Sequence, residues 1–247
     1  MTVPFDRVVG AYDSTRGLSP EIMHRVLESM RIALEDCKTV LDAGVGTGRF
    51  AAPLMERGFD VYGADISIPM MVKAREKGVV QVIRADVRNL PFSDDAFDSV
   101  LIVHLLHLVD DWLNVVHEVG RVARLAVLSL VGASSGFRVR QNYLKLREEL
   151  GYPLLRFNEA EEGLRKVLPP QSLLLVGEYQ IEVNCDAAIA SLDKGDWAIT
   201  WDVPRKVHER IIEKLKSEYT GKRLYRNDTF EIAVWKPQQL RNFRSLK

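Results

Sequence analysis

The stretch Thr39-Val40-Leu41-Asp42-Ala43-Gly44-Val45-Gly46-Thr47-Gly48-Arg49-Phe50 decides how the rest of the chain is read. Its apolar start fits a buried strand, its alternate glycines a tight loop, and the residues after Gly48 the first turn of a helix. Glycine at 44, 46 and 48 permits backbone angles that a Cβ forbids and lets a ligand approach the main chain, while the helix start offers N–H groups to an anion. Asp42 stands just before the turn. Two more acids end strand-like runs downstream, Asp65 in Val61-Tyr62-Gly63-Ala64-Asp65 and Asp86 in Val82-Ile83-Arg84-Ala85-Asp86. Successive acids are separated by the length of one helix plus one strand. They therefore fall on the carboxyl edge of neighbouring parallel strands, where open α/β sheets bind ligands.

A carboxylate roughly 20 residues past the glycine loop suits a ribose diol, and Asp86 with the Val87 N–H suits an adenine edge. Asp42 discriminates between ligands, because it repels a pyrophosphate and attracts an ammonium or a sulfonium. The expected ligand is an adenosine with a cationic tail. A nicotinamide dinucleotide fits less well, since the glycines follow GxGxG and not the GxGxxG that brings a helix close to pyrophosphate. In an unliganded sheet Asp42 and Asp65 would be helix N-caps; three acids closing three successive strands argue against that.

These features resemble the class I S-adenosylmethionine-dependent methyltransferases, in the group that includes small-molecule enzymes of the ubiquinone-biosynthesis type. The resemblance runs from Phe5 to Val131. Besides Val40 to Gly48 it rests on Gly63-Ala64-Asp65-Ile66-Ser67, on Ala85 to Asp98 with Leu90-Pro91-Phe92 at its centre, and on the strand Val100-Leu101-Ile102-Val103 followed by His104 and the acidic helix start Asp110-Asp111-Trp112. It implies a Rossmann-like α/β fold, a seven-stranded, mostly parallel, doubly wound sheet whose last strand is antiparallel and inserted beside the fifth, with helical additions over the active site. S-adenosylmethionine would be the cofactor and S-adenosylhomocysteine the product. Asp42, Gly44, Gly46 and Gly48 would hold the methionine portion, Asp65 the ribose, and Ile66, Asp86 and Val87 the adenine. Tyr12 and Arg16, in Gly10-Ala11-Tyr12-Asp13-Ser14-Thr15-Arg16-Gly17, match the tyrosine and arginine of a segment that closes over the cofactor, with Arg16 facing the methionine carboxylate. A hydroxyl or carbon acceptor also needs a general base, for which His104 and His107 at the exit of the fourth strand are best placed. Tyr12, Trp197 and Trp201 are candidates for an aromatic enclosure that favours dispersal of the sulfonium charge.

The rest of the chain agrees with one methyltransferase domain over residues 1–247. It comprises a cap and first helix (1–36), a cofactor-binding core (37–132), substrate-covering additions with strand six (133–228), a last strand (229–236) and a basic, frayed tail (237–247). Ser19 and Pro20 open a helix to Leu34 with Ile22, Val26, Leu27 and Met30 at helical spacing. Strands are expected at Thr39 to Leu41, Asp60 to Ala64, Val79 to Arg84, Ser99 to Val103, Ala126 to Val131, Ser172 to Val183 and Thr229 to Trp235. Helices are expected at Gly48 to Arg57, Ile68 to Lys77, Asp111 to Ala123, Phe137 to Leu150, Glu159 to Val167, Asp186 to Leu192 and Pro204 to Tyr219, and Asp94-Asp95 reads as a solvated turn.

Lys and Arg equal Asp and Glu at 34 each among 247 residues, a balance that gives no basic field for nucleic acid. A small-molecule acceptor is therefore expected. An RNA or protein acceptor, or a non-catalytic cofactor sensor, is the alternative; the Asn-Pro-Pro-Tyr type of motif used on base amino groups is absent after strand four. The two cysteines, Cys37 and Cys185, lie far apart and outside any CxxC, so free thiols and no metal site are expected. Met1 to Arg7 has no apolar run behind a basic head, and no stretch approaches about 18 apolar residues. A cytoplasmic protein without membrane insertion is expected. Nothing in the sequence specifies an oligomeric state.

Overall fold

The computed structural model describes residues 5–136, 139–154 and 160–243. Phe137, Arg138 and Glu159 of the expected helices, Met1 to Pro4 of the cap, and Arg244 to Lys247 of the tail lie outside the described residues.

Helices α1 (Tyr12–Arg16) and α2 (Pro20–Ala33) lead into an alternation of β1 (Thr39–Ala43), α3 (Ala51–Glu56), β2 (Asp60–Asp65), α4 (Ile68–Glu76) and β3 (Val82–Arg84). Next come β4 (Phe97–Leu101), α5 (Trp112–Val122), β5 (Ala123–Gly136), α6 (Val139–Glu149) and α7 (Ala160–Val167). The chain continues through β6 (Ser172–Asn184), α8 (Cys185–Asp193), α9 (Arg205–Tyr219), β7 (Arg223–Trp235) and α10 (Pro237–Arg241). The seven strands form one sheet in the order β3-β2-β1-β4-β5-β7-β6. Pairings β1 with β2, β2 with β3, β1 with β4 and β4 with β5 are parallel. β7 runs against both neighbours. Ser134 bonds to Asp228 while Gly136 approaches Tyr225, and Gln171 donates to Val234 while Glu182 pairs with Arg223. The expected insertion of the last strand beside the fifth is thus observed. β5 and β7 are longer than the sequence reading gave them, and β3 is shorter.

By density of contacts the chain divides into two compact units: residues 1–131, 158–177 and 230–247, and residues 132–157 and 178–229. The first holds the parallel strands and a core that includes Leu41, Val100, Ile102, Val127 and Trp235. Its helices start where side chains satisfy their free amides. Ser19 accepts from the Ile22 N–H, Ser67 from Met70 and Asp111 from Asn114, each at 3.3 Å. α2 buries Ile22, Val26, Leu27 and Met30, and α5 buries Val115, Val116, Val119 and Val122, the apolar stripes of amphipathic helices. The amino ends of β1 and β4 are fastened by Asp98, whose Oδ2 accepts from the Lys38 and Thr39 amides at 2.8 and 2.9 Å, while Thr39 Oγ1 accepts from the Asp98 amide at 2.9 Å. Despite its burial, those amides and Arg124 hold the Asp98 carboxyl down at about 2.

The second unit is mainly α6, α8 and α9, packed through Tyr143, Leu146, Ile189, Leu192, Ile211 and Leu215. Arg147 is fully buried in it. Its guanidinium donates to the carbonyls of Tyr152 and Ile199, both at 2.6 Å, and pairs with Asp202 at 3.1 Å.

The carboxyl end differs from the frayed tail expected of it. After β7 the chain forms α10, which packs on α5 with Leu240 fully buried. Arg241 donates to the carbonyls of Gly120 at 2.6 Å and Ala123 at 2.8 Å and pairs with Asp95. Asp94 pairs with Arg121 at 2.9 Å, so both acids of the expected solvated turn are engaged. Gly120 makes the α5–α10 contact possible, because a Cβ there would lie 2.8 Å from Leu240 Cβ and 3.2 Å from the Pro237 carbonyl oxygen. Gly120→Ala should therefore push α10 off and destabilise the protein by about 1–3 kcal/mol despite its helix-favouring side chain; urea unfolding of the variant beside wild type measures it, and an unchanged midpoint would show that the contact is loose.

Candidate active site

β1 and β2 end in register, Ala43 opposite Ala64, and β2 pairs Asp65 with Arg84 of β3. Asp42, Asp65 and Asp86 thereby come to the carboxyl ends of three adjacent strands. The loop after β1 is drawn back onto β2: the Gly44 and Val45 amides donate to the Ala64 carbonyl at 2.8 and 3.0 Å, and the Gly46 amide donates to Asp65 Oδ2 at 2.8 Å. Gly44, Gly46 and Gly48 have φ of 80°, 52° and 73°, in the region that favours glycine. Their surroundings differ. A Cβ at Gly44 would meet Leu105 Cδ1 at 2.9 Å and one at Gly48 would meet Ala74 of α4 at 3.2 Å, whereas at Gly46 the nearest atom is 3.9 Å away. Gly48 serves packing against α4, and Gly46 faces open space.

A cavity of about 280 Å³ lies at this edge. Of the residues expected at the site, Tyr12, Gly44, Gly46, Asp65, Ile66, Asp86, Val87 and His104 line it. Asp42, Gly48, Arg16 and His107 stand outside the lining. Met70, Ala85, Val103, Leu105, Leu108 and Val109 add apolar wall, and Asp6 and Ser67 add polar groups. Arg16 lies over the Tyr12 ring, 4.9 Å from its centroid, and donates to Thr15 Oγ1 at 2.7 Å. His107 sits in a short turn of 3₁₀ helix, its ring 6.4 Å from that of His104. His104 is exposed and has φ of 54°, a left-handed conformation uncommon outside glycine, three residues past the buried strand β4. Trp197 and Trp201 belong to the second unit, where their indole N–H groups donate to Ser191 Oγ at 3.0 Å and the Gly195 carbonyl at 2.7 Å.

The acids are in three electrostatic settings. Asp42 is 4% exposed, and burial, reinforced by Asp65 and opposed by Arg49, pushes its carboxyl up to about 7. Burial also raises Asp65, but the Ser67 and Gly46 amides, each donating to one of its oxygens at 2.8 Å, and the Ile66 amide resist the rise. Its two oxygens together keep acceptor capacity for a further donor. Asp86 is held low by Arg88, paired at 2.6 Å.

Two features escaped the sequence reading. Arg49, the residue after the last glycine, carries a guanidinium depressed by burial that interacts with Tyr12, Asp13 and Asp42, and it donates to the Arg16 carbonyl. Its place in the motif was the available signal. The second feature is the fastening of the amino-terminal segment: Thr47 Oγ1 and Lys77 Nζ both donate to Asp13 at 2.6 Å, and Ser67 Oγ donates to Asp6 at 2.5 Å. Nothing local to Asp6 or Asp13 announces such distant partners. Among the described residues no group of three or more His, Cys, Asp or Glu is placed to hold a metal, and no helix is long and apolar enough to cross a membrane.

Comparison with known proteins places this site in context. Residues 41–126 match a family described as a methyltransferase domain. The chain is 32% identical over 224 residues to an uncharacterized methyltransferase of Mycobacterium tuberculosis, covering 87% of this chain and 85% of that protein. It is 30% identical to the 2-phytyl-1,4-naphtoquinone methyltransferase of Nostoc punctiforme, over 60% of this chain and 77% of that protein. The crystal structure of the YcgJ protein of Bacillus subtilis superposes with a TM-score of 0.53 at 18% identity, covering 86% of this chain and 99% of that one, which bears on the fold alone.

With its carboxyl raised, Asp42 should make the binding of any cation beside it pH-dependent. Below about 7 it is protonated and attracts no cation, so affinity for an ammonium-bearing ligand such as S-adenosylhomocysteine should rise from pH 6 to 8 and then level off. In the unliganded protein the same shift removes stability as pH climbs from the ordinary Asp value of 3.8 through about 7. Asp42→Asn should flatten both profiles while weakening the ligand; calorimetry and thermal melts at stepped pH test this, and a mutant that keeps the wild-type slopes would assign them to another group.

Proposed function

Because this chain belongs to the class I S-adenosylmethionine-dependent methyltransferases, we propose that its cavity takes that cofactor and that the enzyme methylates a small-molecule acceptor. The observation that carries the reading is the meeting of Asp65, Asp86 and the open Gly46 backbone in one cavity, with the buried Asp42 carboxyl behind the glycine loop. Those groups fit the cofactor's parts. Asp65 keeps acceptor capacity toward the cavity for a ribose hydroxyl, Gly44 and Gly46 let the methionine portion lie against the main chain, and Asp42 supplies a negative field for the ammonium and sulfonium. Ile66 and Val87 bracket the adenine, and Asp86 accepts from its amino group. Arg16, together with Arg49 that donates to its carbonyl, supplies positive charge to balance the methionine carboxylate.

The cofactor, when bound, supplies a methyl group on a cationic sulfur and leaves as S-adenosylhomocysteine. What the chain contributes is alignment and exclusion of water, the main demands of such a displacement. Leu105, Leu108, Val109 and Met70 form an apolar wall, and Tyr12 adds an aromatic face. His104 is the cavity-lining residue suited to take a proton at a ring nitrogen from a hydroxyl or carbon acceptor. The acceptor class is supported by the named activity of the naphthoquinone-methylating relative and by a charge balance that offers nucleic acid no basic field. A cytoplasmic setting goes with this reading, in keeping with free thiols at Cys37 and Cys185.

Calorimetric titration with S-adenosylmethionine and S-adenosylhomocysteine, with NADH as control, tests the cofactor. Micromolar binding of both adenosyl ligands, lost in Asp65→Ala, is the expected outcome; binding of NADH in their place would overturn the reading. Once an acceptor is found by screening, His104→Ala should lower kcat by about 100-fold or more while cofactor affinity is retained. An unaffected kcat would show that the acceptor arrives already nucleophilic.

A further inference from the structure

Resting on the cofactor reading above, we propose that Arg88 is a positioning residue that holds Asp86 as a fixed single acceptor for the adenine amino group, and thereby sets a preference for adenosyl over inosyl ligands. Asp86 lines the cavity; Arg88, two residues on, stands outside the lining. The two side chains form a closed fork. The Arg88 amide and Nε both donate to Asp86 Oδ1 at 3.0 Å, Nη2 donates to Oδ2 at 2.6 Å, and Nε makes a longer contact with Oδ2 at 3.2 Å. An ionised carboxylate offers about two lone pairs on each oxygen. Those of Oδ1 are taken, and Oδ2 is left with essentially one acceptor direction. The planar guanidinium fixes the plane of the carboxylate as well as its charge.

Arg88 is itself anchored. The Asn114 side-chain amide donates to its carbonyl at 2.8 Å, and the carboxylates of Asp110 and Asp111 add to the field that holds its guanidinium. Adenine presents one N–H to a single acceptor. Hypoxanthine presents a carbonyl oxygen at the same position, and two acceptors then face each other with no proton between them. A carboxylate free to turn can swing its oxygens away from that carbonyl and let a water donate to both acceptors. Asp86, pinned by the fork, cannot turn away.

The test is calorimetric titration at neutral pH with S-adenosyl-L-homocysteine and S-inosyl-L-homocysteine, on wild type, Arg88→Met and Arg88→Lys. Wild type should prefer the adenosyl ligand by at least about 100-fold, Arg88→Met should cut that ratio to about tenfold or less, and Arg88→Lys, which keeps charge without the fork, should fall between. An ion pair serving stability alone would shift the thermal melt and leave the ratio untouched. A ratio unchanged in both variants overturns the positioning role and leaves the cofactor reading standing, because wild type still binds. Failure of wild type to bind either ligand overturns both.

Discussion

The site depends on keeping two carboxylates, Asp42 and Asp65, at the ends of neighbouring strands that pair rung for rung up to Ala43 and Ala64. Burial raises the cost of ionising both, and a neighbouring carboxylate adds to it, Asp65 for Asp42 and Asp6 for Asp65. The fold answers with different means for each. Asp65 receives backbone amides from Ile66 and Ser67 just past its strand and from Gly46 of the glycine loop, so the loop's conformation and the acid's charge are parts of one arrangement. Asp42 has the opposing field of Arg49 and otherwise stays poised near neutrality, which a cationic ligand would tip toward the ionised form.

The remainder of the first unit secures that arrangement from the far end of the strands. Asp98 ties the start of β1 to the start of β4 through reciprocal bonds with Thr39, and Arg124 adds the start of β5. With both ends of β1 fixed, the glycine loop has little freedom to relax away from β2. Arg121 extends the order to the segment after β3, donating to the carbonyls of Leu90 and Phe92 and pairing with Glu118. That segment follows directly on Asp86 and Val87, so the adenine side of the cavity rests on a chain of charge-assisted bonds.

What could be read beforehand was what short-range pattern encodes. Gly44 to Gly48, the strand-ending acids, the helix-opening Ser19 and the buried stripe of α2 all declare themselves within a few residues. What could not be read depends on partners far along the chain. The first half of β7, Arg223 to Asp228, is too charged to look like a strand, and its pairing comes from β5 and β6. α10 is five residues long, and its seating on Gly120 and the bonds of Arg241 to Asp95 and the Ala123 carbonyl make it a structured end. Arg49, whose guanidinium reaches Tyr12, Asp13 and Asp42 and donates to the Arg16 carbonyl, is another such case, because its partners lie up to thirty-odd residues away. Gly48 carried the motif's signature, although its missing side chain answers to Ala74.

Arg147 sets a timetable for the second unit. The chain is made from its amino end, so this arginine emerges more than fifty residues before Ile199 and Asp202, which receive its guanidinium. Until they follow, a group that ends fully buried has only Tyr152 and Pro153 nearby and stays hydrated. Helix α6 can form early, but its docking must wait for a late part of the nascent chain, and through that interval its apolar face stands open to chaperones and to neighbouring chains.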